Sequence, residues 1–165
     1  MPKQNCYTDE WMRTTPDYAV YLPKNPGERD EYADHIHVFF TPGGDLMCMW
    51  TQGSHESSPD LRVVCSRSKD GGQTWSEPRK LSYEGMCPQL LLLENGVLVA
   101  SYGTRDYMHI MASWDGAGKN WSEPLVLYEG QTGGYSNLQA LAPDRFRICY
   151  QEGTFKKYQP GGHRI

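Results

Sequence analysis

Short apolar and alternating stretches recur along the chain, none longer than a strand, with turn formers between them. Three of these stretches are expected to form β-hairpins closed by glycine: His37 to Gly53, Gln89 to Gly103 and Asn137 to Gly153. The closing glycines at 53, 103 and 153 are 50 residues apart in both intervals. Each hairpin has turn residues at its tip: Pro42-Gly43-Gly44-Asp45, Glu94-Asn95-Gly96 and Pro143-Asp144-Arg145. The Asn-Gly pair is the strongest of the three, because both residues tolerate the positive φ of a tight hairpin turn. A third strand is expected after each of the first two hairpins, at Leu61–Arg67 and Tyr107–Ala112, and a fourth at Glu77–Leu81 and Pro124–Tyr128.

Four strands in a repeat of 50 residues is the arithmetic of a β-propeller blade. The reading is a single all-β domain over 1–165, with blade-like repeats near 34–82, 86–129 and 135–165. The third repeat has its hairpin and the start of one more strand at Gly162–Ile165, and Asp17–Leu22 is a candidate for its missing outer strand. Pro23–Glu31, with two prolines and five charges, is expected to be a loop, and no substantial helix is expected. Propellers carry about 4–8 blades, so three blades leave two open edges. The expected remedies are a longer protein, lost middle blades, or a homo-oligomer in which two copies build six blades.

Between the third and fourth strands lies the string Ser68-Lys69-Asp70-Gly71-Gly72-Gln73-Thr74-Trp75, followed by Ser76-Glu77-Pro78. A looser copy runs from Ser113 through Asp115 to Trp121 and ends in Ser122-Glu123-Pro124, its Trp 46 residues after the first. An Asp on a tight turn can accept that turn's own N–H groups, and glycine supplies positive φ. The Trp packs below the turn and is expected to place its indole N–H on an acceptor. Ser68, Asp70, Gly72, Thr74, Trp75, Asp115 and Trp121 therefore read as structural residues.

Aromatic residues and turn formers are abundant (11 Tyr, 5 Trp, 17 Gly and 11 Pro), which suits an all-β chain. A formal charge of −4 argues against a nucleic-acid partner held through phosphates, and leaves open an anionic ligand held by local arginines. No apolar run reaches the length of a membrane span, and no signal peptide is visible, so a cytoplasmic location is expected. The five cysteines (6, 48, 65, 87 and 149) lack metal-ligand spacing and are expected to be free thiols in a reducing compartment. His35 and His37 alternate along one side of a probable strand, without forming a recognisable metal motif. Neither a metal nor an organic cofactor is implied.

The S-x-D-x-G-x-T-W string resembles the Asp-box (BNR repeat) of the sialidase, or neuraminidase, β-propellers. The order Arg105, Trp121-Ser122-Glu123-Pro124, Gly134-Tyr135-Ser136-Asn137-Leu138 and Cys149-Tyr150-Gln151-Glu152 is similar to the C-terminal part of a sialidase catalytic domain. The resemblance implies that Arg105 binds the sugar carboxylate, Tyr135 is the nucleophile and Glu152 orients an arginine. A tyrosine suits this chemistry because a carboxylate nucleophile would be repelled by the carboxylate of sialic acid, and sialidases depart from the two-carboxylate rule. Arginine suits the substrate because its planar fork binds a carboxylate through two parallel bonds. The general acid is expected in the loop Ser54–Asp60, with Glu56 and Asp60 both candidates.

The sequence departs from that family at three places. Asp34-His35-Ile36-His37 stands where the family opens with an arginine, leaving Arg13 as a candidate replacement. No segment corresponds to the middle blades that carry a further arginine and the Glu base of the tyrosine, and Arg62 and Arg164 have no assigned role. The resemblance therefore implies an exo-sialidase-like, retaining hydrolase of terminal sialic acid or a related anionic sugar. Two alternatives stay open: a non-catalytic propeller module that binds a glycan or protein, and an inactive remnant.

Overall fold

The computed structural model describes residues 16–24, 29–82 and 84–153. Arg13, Arg164, Cys6 and the expected strand start at 162–165 lie outside them. The described residues form three antiparallel sheets and no helix. The first contains β1 (Tyr32–Phe40), β2 (Leu46–Gly53), β3 (Arg62–Ser68) and β4 (Arg79–Lys80), paired in sequence order. The second repeats that order with β5 (Met86–Leu92), β6 (Leu98–Gly103), β7 (Tyr107–Ser113) and β8 (Leu125–Glu129). The third has β9 (Ser136–Ala142) and β10 (Arg145–Tyr150).

Side chains alternate across a strand, so β2 serves two cores at once. Met47 and Met49 point to one face, where they join Val63 and Cys65 and pack against Leu98, Ala100, Tyr102 and Met111 of the second sheet. Cys48 and Trp50 point to the other face with Val64, where Val20, Tyr21 and Trp75 cover them. A strand buried on both faces has no polar alternation to show, as the sequence Leu46-Met47-Cys48-Met49-Trp50 illustrates. Full burial of each such side chain stabilises the fold by about 1.5–3 kcal/mol.

Residues 17–22 form no strand. Instead of lending an edge to the third sheet, this segment lays Val20 and Tyr21 over the outer face of the first. The Tyr21 and Trp50 rings are 6.4 Å apart, and the Tyr21 hydroxyl donates to Asp30. Pro16 and Pro23 bracket the segment, and each lacks the N–H that a ladder needs. Cys48, Cys65, Cys87 and Cys149 are free thiols, the first three buried and the last exposed.

The three closing glycines are required for different reasons. A Cβ on Gly53 would meet Leu61 Cδ2 at 2.7 Å. A Cβ on Gly103 would lie 2.2 Å from Gly134 Cα, so the end of β6 and the approach to β9 touch through bare backbone. Gly153 has φ +85° and open space around it, a requirement of backbone conformation rather than of room.

The two Asp-containing turns, at 68–75 and 113–121, are closed by their own side chains. Asp70 accepts from Ser68 Oγ at 2.7 Å and Thr74 N at 2.9 Å, and Ser68 Oγ accepts from Gly72 N at 2.8 Å. Asp115 accepts from Ser113 Oγ, Ala117 N and Asn120 N at 2.8, 2.8 and 3.0 Å. Trp75 donates its indole N–H to Gly72 O at 2.9 Å, as expected. Trp121 does not follow: its buried Nε1 has no partner among the described residues. The second turn has one more residue between its Asp and its Trp than the first.

Candidate functional site

Both four-stranded sheets open with the same defect. Pairing slips by one residue between Asp34 and His37 on β1, and between Met86 and Gln89 on β5. The residue inside each slip has positive φ: His35 at 49° and Cys87 at 54°. Such bulges re-aim a side chain, and for a residue with a Cβ the conformation is strained. His35 and His37 therefore do not alternate along one face. His37 turns to Gln89, with His37 Nε2 and Gln89 Nε2 3.3 Å apart, and joins the two sheets. Burial, and then the neighbouring His35, lower its pKa.

His35 and Cys87 instead face a cavity of about 710 Å³ at the end of the strands opposite the turns that follow β3 and β7. Three loops complete its wall: Glu56 and Ser57 from β2–β3, Arg105 and Asp106 from β6–β7, and Gln131–Gly133 leading to Tyr135 before β9. Thr51 Oγ1 accepts the Cys87 N–H at 3.0 Å and fixes the floor. The last loop is held on both sides. Thr132 N donates to Arg105 O at 3.0 Å, Thr132 Oγ1 to Gln151 O at 2.8 Å, and Gln151 N to Tyr135 O at 3.0 Å. Tyr135 is thereby placed by backbone on either side of it.

The structure brings Tyr135, Arg105 and Glu56 to one cavity, although they lie on three different loops. Tyr135 is 46% exposed, and partial burial followed by Cys87, Asp34 and Glu56 raises its pKa, so the phenol is protonated at neutral pH. Arg105 donates from Nη2 to the Ser57 carbonyl, tying two wall loops together. Asp60 and Glu152 are not in the lining. Asp60 accepts from Ser54 Oγ at 2.9 Å and from Ser58 Oγ, which closes the β2–β3 loop. Burial opposes its ionisation, but the bonds from Ser58 and Ser54 prevail and hold its pKa at about 2. A carboxylate so held is ionised at neutral pH and has no proton to give. Glu152 falls just beyond β10 and is half-buried.

Sequence reasoning noted Asp34 only as part of the place of an absent arginine, and His35 there and in a weak metal-ligand pair with His37. Asp34 Oδ2 accepts from the Tyr32 hydroxyl at 2.6 Å and lies 2.8 Å from His35 Nδ1. Burial would raise the Asp34 pKa, but hydrogen bonds from Tyr32, His35 and Thr51 outweigh it and lower the value. The His35 ring sits 5.7 Å from the Tyr135 ring, tilted by 58°. The available signal was three polar residues, Asp34, His35 and His37, in a stretch that pairs as a strand. Among the described residues no group of three His, Cys, Asp or Glu side chains is placed to hold a metal ion.

The chain superposes on the crystal structure of a protein of unknown function from Dyadobacter fermentans DSM 18053 with a TM-score of 0.68 at 22% identity. That match covers 87% of this chain and 37% of the other, so the chain spans well under half the length of that protein. A second match, Hadza microbial sialidase Hz136, has a TM-score of 0.48 at 18% identity, covering 60% of this chain and 26% of that one. At such identities the first likeness concerns the fold alone. No family model matches the sequence, and no curated protein matches it.

Proposed function

We propose that this chain is part of a sialidase-type β-propeller whose three sheets are successive blades, and that its cavity hydrolyses a terminal anionic sugar with retention. The observation that carries the reading is the convergence of Tyr135, Arg105 and Glu56 on one cavity. Tyr135 serves as nucleophile, Arg105 receives the sugar carboxylate and Glu56 protonates the leaving oxygen. Asp60, held ionised by its loop, is a structural residue in this scheme. Glu152 lies outside the lining and is left without a catalytic task. The rest of the ring comes from further polypeptide or from a second copy of the chain. Hydrolysis of a fluorogenic sialoside tests the scheme: Tyr135→Phe is expected to abolish turnover and to leave sugar binding in place. Turnover by that variant equal to the parent would overturn it.

A second reading rests on the charges of the wall. Asp34, Glu56 and Asp106 set three carboxyl groups against the single guanidinium of Arg105. That balance favours a glycan-binding module for a weakly charged or neutral sugar, with no turnover. Calorimetric titration with neutral and sialylated oligosaccharides separates the two readings.

A further inference from the structure

A phenol that attacks carbon must first lose its proton, and the Tyr135 phenol is one whose pKa is raised. A base must therefore stand near it, and the cavity offers one on the bulge of β1. We propose that Asp34 and His35 form a carboxylate–imidazole pair that accepts the proton of Tyr135. The inference rests on the hydrolase reading above and supplies the base that reading lacks.

Three observations converge on His35. Its backbone sits at φ 49°, a strained conformation that Asn and Gly adopt far more readily, and that conformation turns the ring into the cavity. Asp34 Oδ2 lies 2.8 Å from Nδ1, and in the proposed pair that nitrogen carries a proton and Nε2 is the acceptor. Asp34 is itself held ionised by the Tyr32 hydroxyl at 2.6 Å. The His35 ring packs against that of Tyr135 with centroids 5.7 Å apart, and both side chains line the cavity. Around this pair stand Glu56 from the β2–β3 loop, Cys87 from β5 and Arg105 from the β6–β7 loop. His37 follows on β1 but is turned toward Gln89.

The step balances without any further reagent. The Tyr135 proton moves to His35 Nε2 as Oη bonds to the anomeric carbon. The glycosidic C–O bond breaks, and the leaving oxygen takes its proton from the Glu56 carboxyl. Glu56 then removes a proton from water, the water oxygen displaces Tyr135 from the sugar, and His35 returns the proton to the phenol.

The test has two arms. In the first, Tyr135 is labelled at Cζ and its resonance followed between about pH 5 and 8, with no substrate present. The signal is expected to move with pH in the parent, and to become flat in His35→Asn, a residue that tolerates the same positive φ. A Tyr135 signal that is identical in parent and His35→Asn overturns the pairing. In the second arm, kcat and KM for the sialoside are measured against pH. His35→Asn and Asp34→Asn are each expected to lower kcat by about 100-fold or more, with KM little changed and the acidic limb displaced. A kcat within threefold of the parent, with the acidic limb unmoved, overturns the proposal. A parent protein inert toward every sialoside refutes the substrate reading instead, and the first arm still decides the pair.

Discussion

Replacing Gly103 by Ala tests how the fold delivers Tyr135 to the cavity. The new Cβ would stand 2.2 Å from Gly134 Cα and 3.0 Å from its carbonyl carbon and oxygen, all backbone atoms that no rotamer change can move. Relief to an ordinary contact needs a retreat of roughly 1 Å by the segment that precedes β9, at an expected cost of about 1–3 kcal/mol. The segment has little freedom to retreat, because Thr132 N is bonded to Arg105 O and Gln151 N to Tyr135 O. With a urea m-value of about 2 kcal/mol per M, the unfolding midpoint is expected to fall by about 1 M. Gly44→Ala is the comparator: at φ +86° with nothing within 4 Å, it meets backbone strain of about 1–2 kcal/mol and no collision. The two differ in function. Under the proposed hydrolase reading, a displacement of about 1 Å at Tyr135 is expected to lower turnover by about 100-fold, whereas the distant hairpin tip leaves turnover alone. If Gly103→Ala keeps the parent's midpoint and its ligand response, the account of how β6 positions Tyr135 fails.

Two further outcomes follow from the turns. Trp75→Phe removes an indole bond to Gly72 O and is expected to destabilise by about 0.5–1.5 kcal/mol beyond any packing loss, whereas Trp121→Phe removes a donor without a partner and is expected to cost less; paired urea melts check the order. Asp60 and Asp115 both have folded-state pKa values of about 2, in each case because hydrogen bonds overcome burial, against about 3.9 in an unfolded chain. Their contribution to stability is therefore complete above about pH 4 and is lost as the pH falls toward 2, so Asp60→Asn and Asp115→Asn are expected to flatten the acid side of a stability–pH curve.

The strands that the sequence discloses best are those with a short polar turn at one end and a regular pattern between. β2 and β6 end at Gly53 and Gly103 as expected, and β3 and β7 begin within one residue of their expected starts. The fourth strands are less legible: β4 is only Arg79–Lys80, because Pro78 withholds an N–H and both residues are exposed at an edge where little packing is gained. Residues 17–22 mislead for the opposite reason, since their apolar side chains are used to cover Trp50 rather than to extend a ladder.

The beginnings of β1 and β5 explain why the site itself was only partly visible. A reading by alternation starts those strands at His37 and Gln89, yet pairing begins at Tyr32 and Met86. His37 and Gln89 are the first residues after each one-residue slip, so alternation is valid from them onward and fails behind them. One extra residue reverses which face every earlier side chain takes, and period-two logic has no means to anticipate it. The same slips turn His35 and Cys87 into the cavity. A residue whose direction is set by a bulge is thus hidden from pattern analysis by the very irregularity that turns it into the cavity. Tyr135, Arg105 and Glu56, which line the same cavity, lie on loops, where naming a candidate needs no knowledge of register.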